Sequence, residues 1–388
     1  MDSYRILFFI SSLRGGGAEN HLINLCRYLK ASSHLPAVCT LSPAEDRLEN
    51  VLRTDDVALF RFPLTSLKEL AMPKNLLALR GIVKLFHPDL IHAHLYHAEV
   101  VSAFASLSAR VPVIATRHSA GLEFLGRRRW LMKIIQPRFD FIIAVSTETA
   151  TEALDMGFPA GQVMTLPNAV DTERFCPIDA SIHEERRRSF LQKNFPGPVP
   201  SSFVLIGTVG GLKPVKNFTL FIRMAARLIE QRSNLGAGPA LRFAVVGEGS
   251  EQEKLFDLAR VCGIDTCIAF PGYYERPEEV YNLFDIFILP SMREGVPMVL
   301  LEAMSSGVPC IASDVGGVGE VAGDAVVLVE SGDVNGFVEA IGSLVDNEDR
   351  RRELGRETRA HVRAHFDLDL WGRKLLQIYR LLVKERNG

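Results

Sequence analysis

Glu294 and Glu302 stand eight positions apart in the stretch LPSMREGVPMVLLEAMSSGVPCIAS, on either side of a predicted helix start. Pro297 suits the first helical position, Gly307 supplies a stop, and Pro309 cannot continue the turn. Glu294 therefore falls in the loop before the helix and Glu302 about a turn and a half into it. The backbone N–H groups of Met298 and Val299 lie between them, without intrahelical acceptors. A helix start of this kind attracts an anion. Taken alone, the spacing is more commonly a solvated acidic loop followed by an amphipathic helix. Phosphates on the helix start, with a carboxylate on either side to accept from hydroxyl groups, would match the layout of a nucleotide sugar.

Other residues fall at predicted strand ends in a way that favours the second reading. Gly15, Gly16 and Gly17 follow the first strand in SSLRGGGAEN and lead into an apolar-periodic helix, so the backbone there can approach a bulky anion. The third glycine of a dinucleotide fingerprint is replaced by Asn20, and no acidic residue ends the second strand, which disfavours a nicotinamide enzyme. A Walker phosphate loop is also absent. Lys213 and Lys216 lie in the loop after the first strand of the second half, where a cation would face a pyrophosphate. His92, His94 and His97 crowd one strand end without the carboxylate or cysteine pattern of a zinc site, and His92 and His94 are expected on the acceptor side. His118 ends the next strand, where it can donate to a sugar hydroxyl, and Arg117 beside it is expected to meet a phosphate.

The elements that position these residues are short apolar runs alternating with helical patterns, the mark of an α/β protein with parallel sheets. One series is predicted near residues 5–11, 37–41, 90–92, 113–116 and 141–145. A second is predicted near 203–210, 241–249, 267–272, 286–291, 309–313 and 325–329. Between them, CPIDASIHEERRRSFLQKNFPGPVPSS is rich in Pro, Ser and charge and reads as a linker with one short helix. The chain of 388 residues suits two domains, with boundaries expected at 1–180, 181–200 for the linker, 201–368, and a terminal helix over 369–388. A net charge of −2 gives no argument for nucleic acid. Six scattered Cys without paired spacing suit reduced thiols. The opening MDSYRILFFISSL reads as a strand and not a signal peptide, and no run approaches a membrane span, so a cytoplasmic protein is expected.

In this order and spacing the motifs are specific, and the chain resembles the family 4 branch of the GT-B glycosyltransferases over essentially its whole length. The resemblance is carried by GGGAE at Gly15–Glu19, IHAH at Ile91–His94, TRH at Thr116–His118 and LPNAVD at Leu166–Asp171. It continues in KPVKN at Lys213–Asn217, VGEG at Val246–Gly249, LPSMREGVPMVLLEAMSSGVP at Leu289–Pro309 and GGVGE at Gly316–Glu320. It implies two Rossmann-like doubly wound domains facing a cleft, with a C-terminal helix crossing back to the first. It further implies a retaining transferase that uses a UDP-, GDP- or ADP-sugar as donor substrate, with neither cofactor nor metal. Carried onto this sequence, Lys216 binds the donor phosphates, Glu294 the sugar hydroxyls, Glu302 the ribose hydroxyls, and His118 the transferred sugar. The amides of Gly16, Met298 and Val299 neutralise the pyrophosphate. The donor-binding set further takes in Gly247, Tyr273 (in the base-lining loop PGYYERPEE), Gly295 and Pro297.

One departure stands out: the family's G-R-L element before the lysine reads Gly210-Gly211-Leu212 here, which removes a phosphate-facing cation. A low-activity sugar-nucleotide-binding relative and a nucleotide-sugar epimerase of the same architecture are the alternatives. Asp367-Leu-Asp369 matches a D-x-D metal signature, but its place before the terminal helix suits a helix cap. Arg127, Arg128, Arg129 and Lys133 cluster with Trp130 in GRRRWLMKII, a pattern that suits either a solvated helix face or an anionic membrane surface. The second reading would place the protein on the inner face of the cell membrane with a glycan or lipid-linked acceptor.

Overall fold

Thirteen parallel strands form two separate sheets in the computed structural model, which describes residues 3–108, 111–118, 126–233 and 238–387. The first unit takes the chain as far as Ala169 and again from Leu368, and the second takes Val170–Asp367.

The strands of the first unit are β1 (Arg5–Ile10), β2 (Leu35–Thr40), β3 (Ala58–Arg61), β4 (Leu90–His94), β5 (Val113–Arg117), β6 (Phe141–Ala144) and β7 (Val163–Thr165). Their order is β3-β2-β1-β4-β5-β6-β7. The strand order reverses between β1 and β4, the position where open parallel sheets bind ligands beyond their carboxyl ends. Both faces of β1 are covered, which explains its unbroken apolar run. Ile6, Phe8 and Ile10 pack in one core with Leu22 and Leu25 of the helix Gly17–Ala31. Leu7 and Phe9 pack in the other with Leu79, Val101 and Met132, from the helices Pro73–Phe86, Tyr96–Ala105 and Arg127–Ile135.

The last helix, Leu368–Asn387, belongs to this first unit, where Trp371, Leu375, Ile378 and Tyr379 join the core around β1. Its Gly372 admits the Tyr28 ring, since any Cβ at that position would overlap it.

The second unit holds β8 (Phe203–Val209), β9 (Ala240–Val246), β10 (Ile268–Gly272), β11 (Ile286–Leu289), β12 (Cys310–Ser313) and β13 (Val327–Val329), in the order β10-β9-β8-β11-β12-β13. Its reversal lies between β8 and β11. Ile206, Phe221, Phe243, Ile288, Ile311 and Phe337 fill the core.

Two edge strands, β3 and β7, were not anticipated. They are four and three residues long and mostly uncovered, so neither leaves an apolar run. Residues 181–200, expected as linker, mostly form the fifteen-residue helix Ala180–Asn194, which lies in the second unit. Arg187 of this helix is buried against Asp285 and the Phe203 ring, so its charge serves packing rather than solubility.

Candidate functional site

In the second unit the site is built from loops at the carboxyl ends of β8, β9, β10 and β11. Backbone hydrogen bonds knit these loops together: Gly210 N to Val246 O at 2.9 Å, Leu212 N to Glu248 O at 2.9 Å, Gly247 N to Gly272 O at 2.9 Å and Met292 N to Val215 O at 2.9 Å. Gly247 has φ +135°, and a side chain there would overlap the Gly210 carbonyl, so the β8 and β9 loops meet only because position 247 is glycine.

Lys216 ends a short 3-10 turn after β8, with Asn217 left-handed behind it, and its stem lies beside Gly210. Its Nζ donates to Glu294 Oε1 at 2.6 Å, and Ser291 Oγ donates to the same oxygen at 2.6 Å. The two charged side chains are 22% and 9% exposed, which makes the pair considerably more enclosed than a surface salt bridge. The helix that follows runs Met298–Ser305 with Pro297 as its cap, one residue later than expected, and Gly307 ends it at φ +74°. Glu302, one turn in, is buried and accepts from Tyr281 Oη at 2.5 Å. Burial raises the Glu302 carboxyl above its usual range, against the opposing pull of the Tyr281 hydrogen bond. A cation, the carboxylate that pairs with it, first-turn amides and a second, buried carboxylate are thus gathered around one helix start.

In the first unit a group of aromatic side chains occupies the ends of β4 and β5. His92, His94 and His118 stack in sequence, with centroids 4.6 and 5.2 Å apart. His21 meets His118 edge-on, and Trp371 of the last helix meets His21 edge-on at 4.7 Å. His92 is held at both nitrogens, Nδ1 by Tyr379 Oη at 2.6 Å and Nε2 by Thr116 Oγ1 at 2.8 Å. His94 Nδ1 lies 2.9 Å from His118 Nε2. Burial holds all four imidazoles neutral, taking His21 down to about 4 and His92 to about 3, with His94 and His118 also well below the usual value.

This pair of sites sits on a chain that two family descriptions divide between them: Glycosyltransferase Family 4 matches residues 15–174, and Glycosyl transferases group 1 matches residues 192–361. The chain belongs to the group 1, family 4 glycosyltransferases of GT-B fold. It is similar to the putative glycosyltransferase EpsF of Bacillus subtilis, 28% identical over 80% of this chain and 79% of that one. It is also similar to the UDP-Gal:alpha-D-GlcNAc-diphosphoundecaprenol alpha-1,3-galactosyltransferase of Escherichia coli, 26% identical over 79% and 78%. Among solved structures, Anabaena HepE in complex with UDP-glucose superposes with a TM-score of 0.82, at 21% identity over 98% of this chain and all of that one.

The glycosyltransferase does not present every predicted residue to a ligand. Arg117, expected to meet a phosphate, turns into the interior of the first unit. It is 1% exposed, pairs with buried Glu99 at 3.2 Å and lies over the Phe158 ring. An Arg at a strand end can point into either layer, and the acid at Glu99 selects the inner one. His92 and His94, expected on the acceptor side, are buried within the ring stack, and both nitrogens of His92 are already used. His97 is exposed.

The glycine loop also differs from expectation. Gly16 caps the Gly17–Ala31 helix, but the Glu19 carboxylate folds back over Gly16 and accepts from Ser12 Oγ at 3.3 Å. A protein carboxylate thus already occupies the positive end of that helix, as an acid at the third helical position is able to do. Lys213 is exposed with its stem beside Gly211, while Gly295 and Tyr273 are half-buried in their loops. Asp367 accepts from Thr172 Oγ1 at 2.6 Å, and Asp369 sits in the first turn of the last helix.

Ser291 and Tyr281 were missed as site residues. Ser291 precedes Glu294 by three, a spacing at which a short side chain can bond back within one loop. Tyr281 had no such signal.

Proposed function

We propose that this glycosyltransferase moves a sugar from a nucleotide-diphosphate sugar to an acceptor hydroxyl with retention of anomeric configuration and without a metal ion. The observation that carries the donor half is the Lys216, Glu294 and Ser291 group at the start of the Met298–Ser305 helix. Lys216 and the amides of Met298 and Val299 balance the diphosphate, Glu294 accepts from sugar hydroxyls, and Glu302 accepts from the ribose. Gly247, Gly295 and Pro297 let the backbone come close, and Tyr273 lines the base. His118 contacts the transferred sugar. The acceptor hydroxyl attacks on the face from which the nucleotide diphosphate leaves, and the departing oxygen takes the acceptor proton. Each oriented donor on that leaving group lowers the barrier by about 3–4 kcal/mol.

The acceptor in this reading is a glycan or lipid-linked sugar of the cell envelope, and the enzyme works on the inner face of the membrane. The galactosyltransferase relative named for a diphosphoundecaprenol-linked acceptor supports this. So does the surface of the first unit. Trp130 and Ile134 are 67% and 53% exposed on one side of their helix, and Leu77 and Leu85 are 67% and 73% exposed on the Pro73–Phe86 helix of the same unit. Neither helix contains an acidic residue, while Lys74, Arg80, Lys84 and Lys133 add positive charge. Arg128 lies over the Tyr96 ring and Arg129 donates to the Asp155 carbonyl, so both are anchored at the base of this face. The Arg127 side chain lies outside the described residues. No helix among the described residues is long and apolar enough to cross a membrane.

A thermal-shift screen of UDP-, GDP- and ADP-sugars tests the donor half, because a ligand that binds the folded state raises its melting temperature. One nucleotide class should stabilise the protein, and its sugar should appear on an acceptor with the anomeric configuration unchanged. Failure of every nucleotide sugar to stabilise, or an inverted product, overturns the proposal.

A further inference from the structure

The contact between His94 and His118 fixes more than ring position. Both imidazoles are neutral, so each carries one proton, and a single proton must lie between His94 Nδ1 and His118 Nε2 at 2.9 Å. The two outer nitrogens, His94 Nε2 and His118 Nδ1, are buried with no hydrogen-bond partner among the described residues. One of them therefore bears a proton and the other a lone pair, and which is which depends on the direction of the shared bond.

If His118 donates, the stranded N–H is on His94 Nε2, in a ring with no exposure at all. If His94 donates, the stranded N–H is on His118 Nδ1, in the half-buried ring that ends the stack. An unpaired buried donor is the more tolerable where a ligand can pair with it, which selects the second arrangement. Nothing else in the pair competes for the choice, because both nitrogens of His92 are taken by Tyr379 and Thr116.

We propose that His94 is a positioning residue: its Nδ1–H donates to His118 Nε2 and holds His118 as the Nδ1–H tautomer, a hydrogen-bond donor to the transferred sugar. This rests on the reading that His118 contacts that sugar. His94 touches no substrate, and its effect passes entirely through the neighbouring ring.

The test combines nitrogen NMR with kinetics. Full-length protein labelled with 15N-histidine should show His118 protonated at Nδ1 and bare at Nε2, assigned by comparison with a His118→Ala sample. His94→Ala should release that preference, whereas His94→Asn, whose amide N–H stands near the former Nδ1 position, should keep it. In parallel, turnover should fall roughly 10- to 100-fold in His94→Ala, with the donor KM within about threefold, and recover most of the loss in His94→Asn. An Nε2-protonated His118 in the wild type, or a tautomer unmoved by His94→Ala, overturns the role of His94. Wild-type turnover in His118→Ala instead overturns the underlying sugar contact, so the two failures are told apart.

Discussion

Lys216 Nζ and Glu294 Oε1 lie 2.6 Å apart across the loops that follow β8 and β11. The cation proposed to meet the donor diphosphate is thus held by the carboxylate proposed to meet the donor sugar, and each fixes the other's position. Lys216→Ala and Glu294→Ala should each reduce kcat/KM at least tenfold, about 1.4 kcal/mol. Circular dichroism should remain that of the wild type. Because the groups touch, the double variant should lose less than the sum of the two single losses. Strict additivity in steady-state kinetics would mean that the pair does not act together.

The buried Glu302 carboxyl gives nucleotide binding a pH dependence of known sign. Its pKa in the folded protein is raised above the usual 4.5 by burial. The protonated form is therefore favoured by folding, and this contribution to stability is lost as pH rises through the folded pKa. A ribose hydroxyl donating to Glu302 favours the ionised form instead. Affinity for a nucleoside diphosphate, measured calorimetrically from pH 5 upward, should increase through that range, and Glu302→Gln should flatten the rise. A wild-type profile already flat would count against contact between Glu302 and the ribose.

The buried imidazoles act in the opposite direction. His21 and His92 fall from 6.5 to about 4 and about 3 because burial disfavours their charged forms. The unfolded chain binds protons that the folded chain refuses, so stability is lost as pH falls below about 6.5 toward 4. For His21 alone the full effect is on the order of 3 kcal/mol. Denaturant unfolding at pH 7 and pH 5 should show this loss, and His21→Phe, which keeps a ring against Trp371, should lessen it. An identical pH slope in the variant would assign the acid sensitivity elsewhere.

What was legible in the sequence followed from local pattern. The apolar runs of β1, β8 and β11 are buried on both faces, and the glycine and proline signals around the Met298–Ser305 helix fix its ends to within a residue. What was not legible depended on partners distant in the chain. Nothing near Arg117 shows that Glu99 waits for it inside the fold, and nothing near His92 reveals a hydroxyl from Tyr379, 287 residues away. The length of the helix in the expected linker has the same origin, since the charges of Ala180–Asn194 look like solvent signals until Arg187 finds Asp285.

Exposed Trp130 and Ile134, with Lys133 between them, should bind vesicles that contain anionic lipid in preference to neutral ones. In flotation assays Trp130→Ser should weaken the association and Lys133→Glu should weaken it further, with activity on a soluble acceptor unchanged. Equal recovery with neutral and anionic vesicles would remove the proposed membrane contact.

Gly211 offers a gain-of-function test. The family resemblance places Arg at this position, and the structure has room for it. Gly211 is exposed, its φ is outside the left-handed region, and an added Cβ would make only ordinary contacts, 3.7 Å from Lys213 Cε and 3.9 Å from the Glu248 carbonyl oxygen. Gly211→Arg should therefore change stability by no more than about 0.5 kcal/mol, as for most surface substitutions. If the β8 loop faces the donor diphosphate, the added guanidinium should tighten donor binding or raise turnover severalfold, since it can contact phosphate oxygens through two parallel hydrogen bonds. Gly211→Lys should give less, because a point charge lacks that fork. Unchanged kinetics in a well-folded Gly211→Arg protein would indicate that Lys213 and Lys216 already saturate the phosphates, or that the loop does not meet them. A Lys213→Ala background separates these outcomes, because only in the first would the arginine restore what the lysine had supplied.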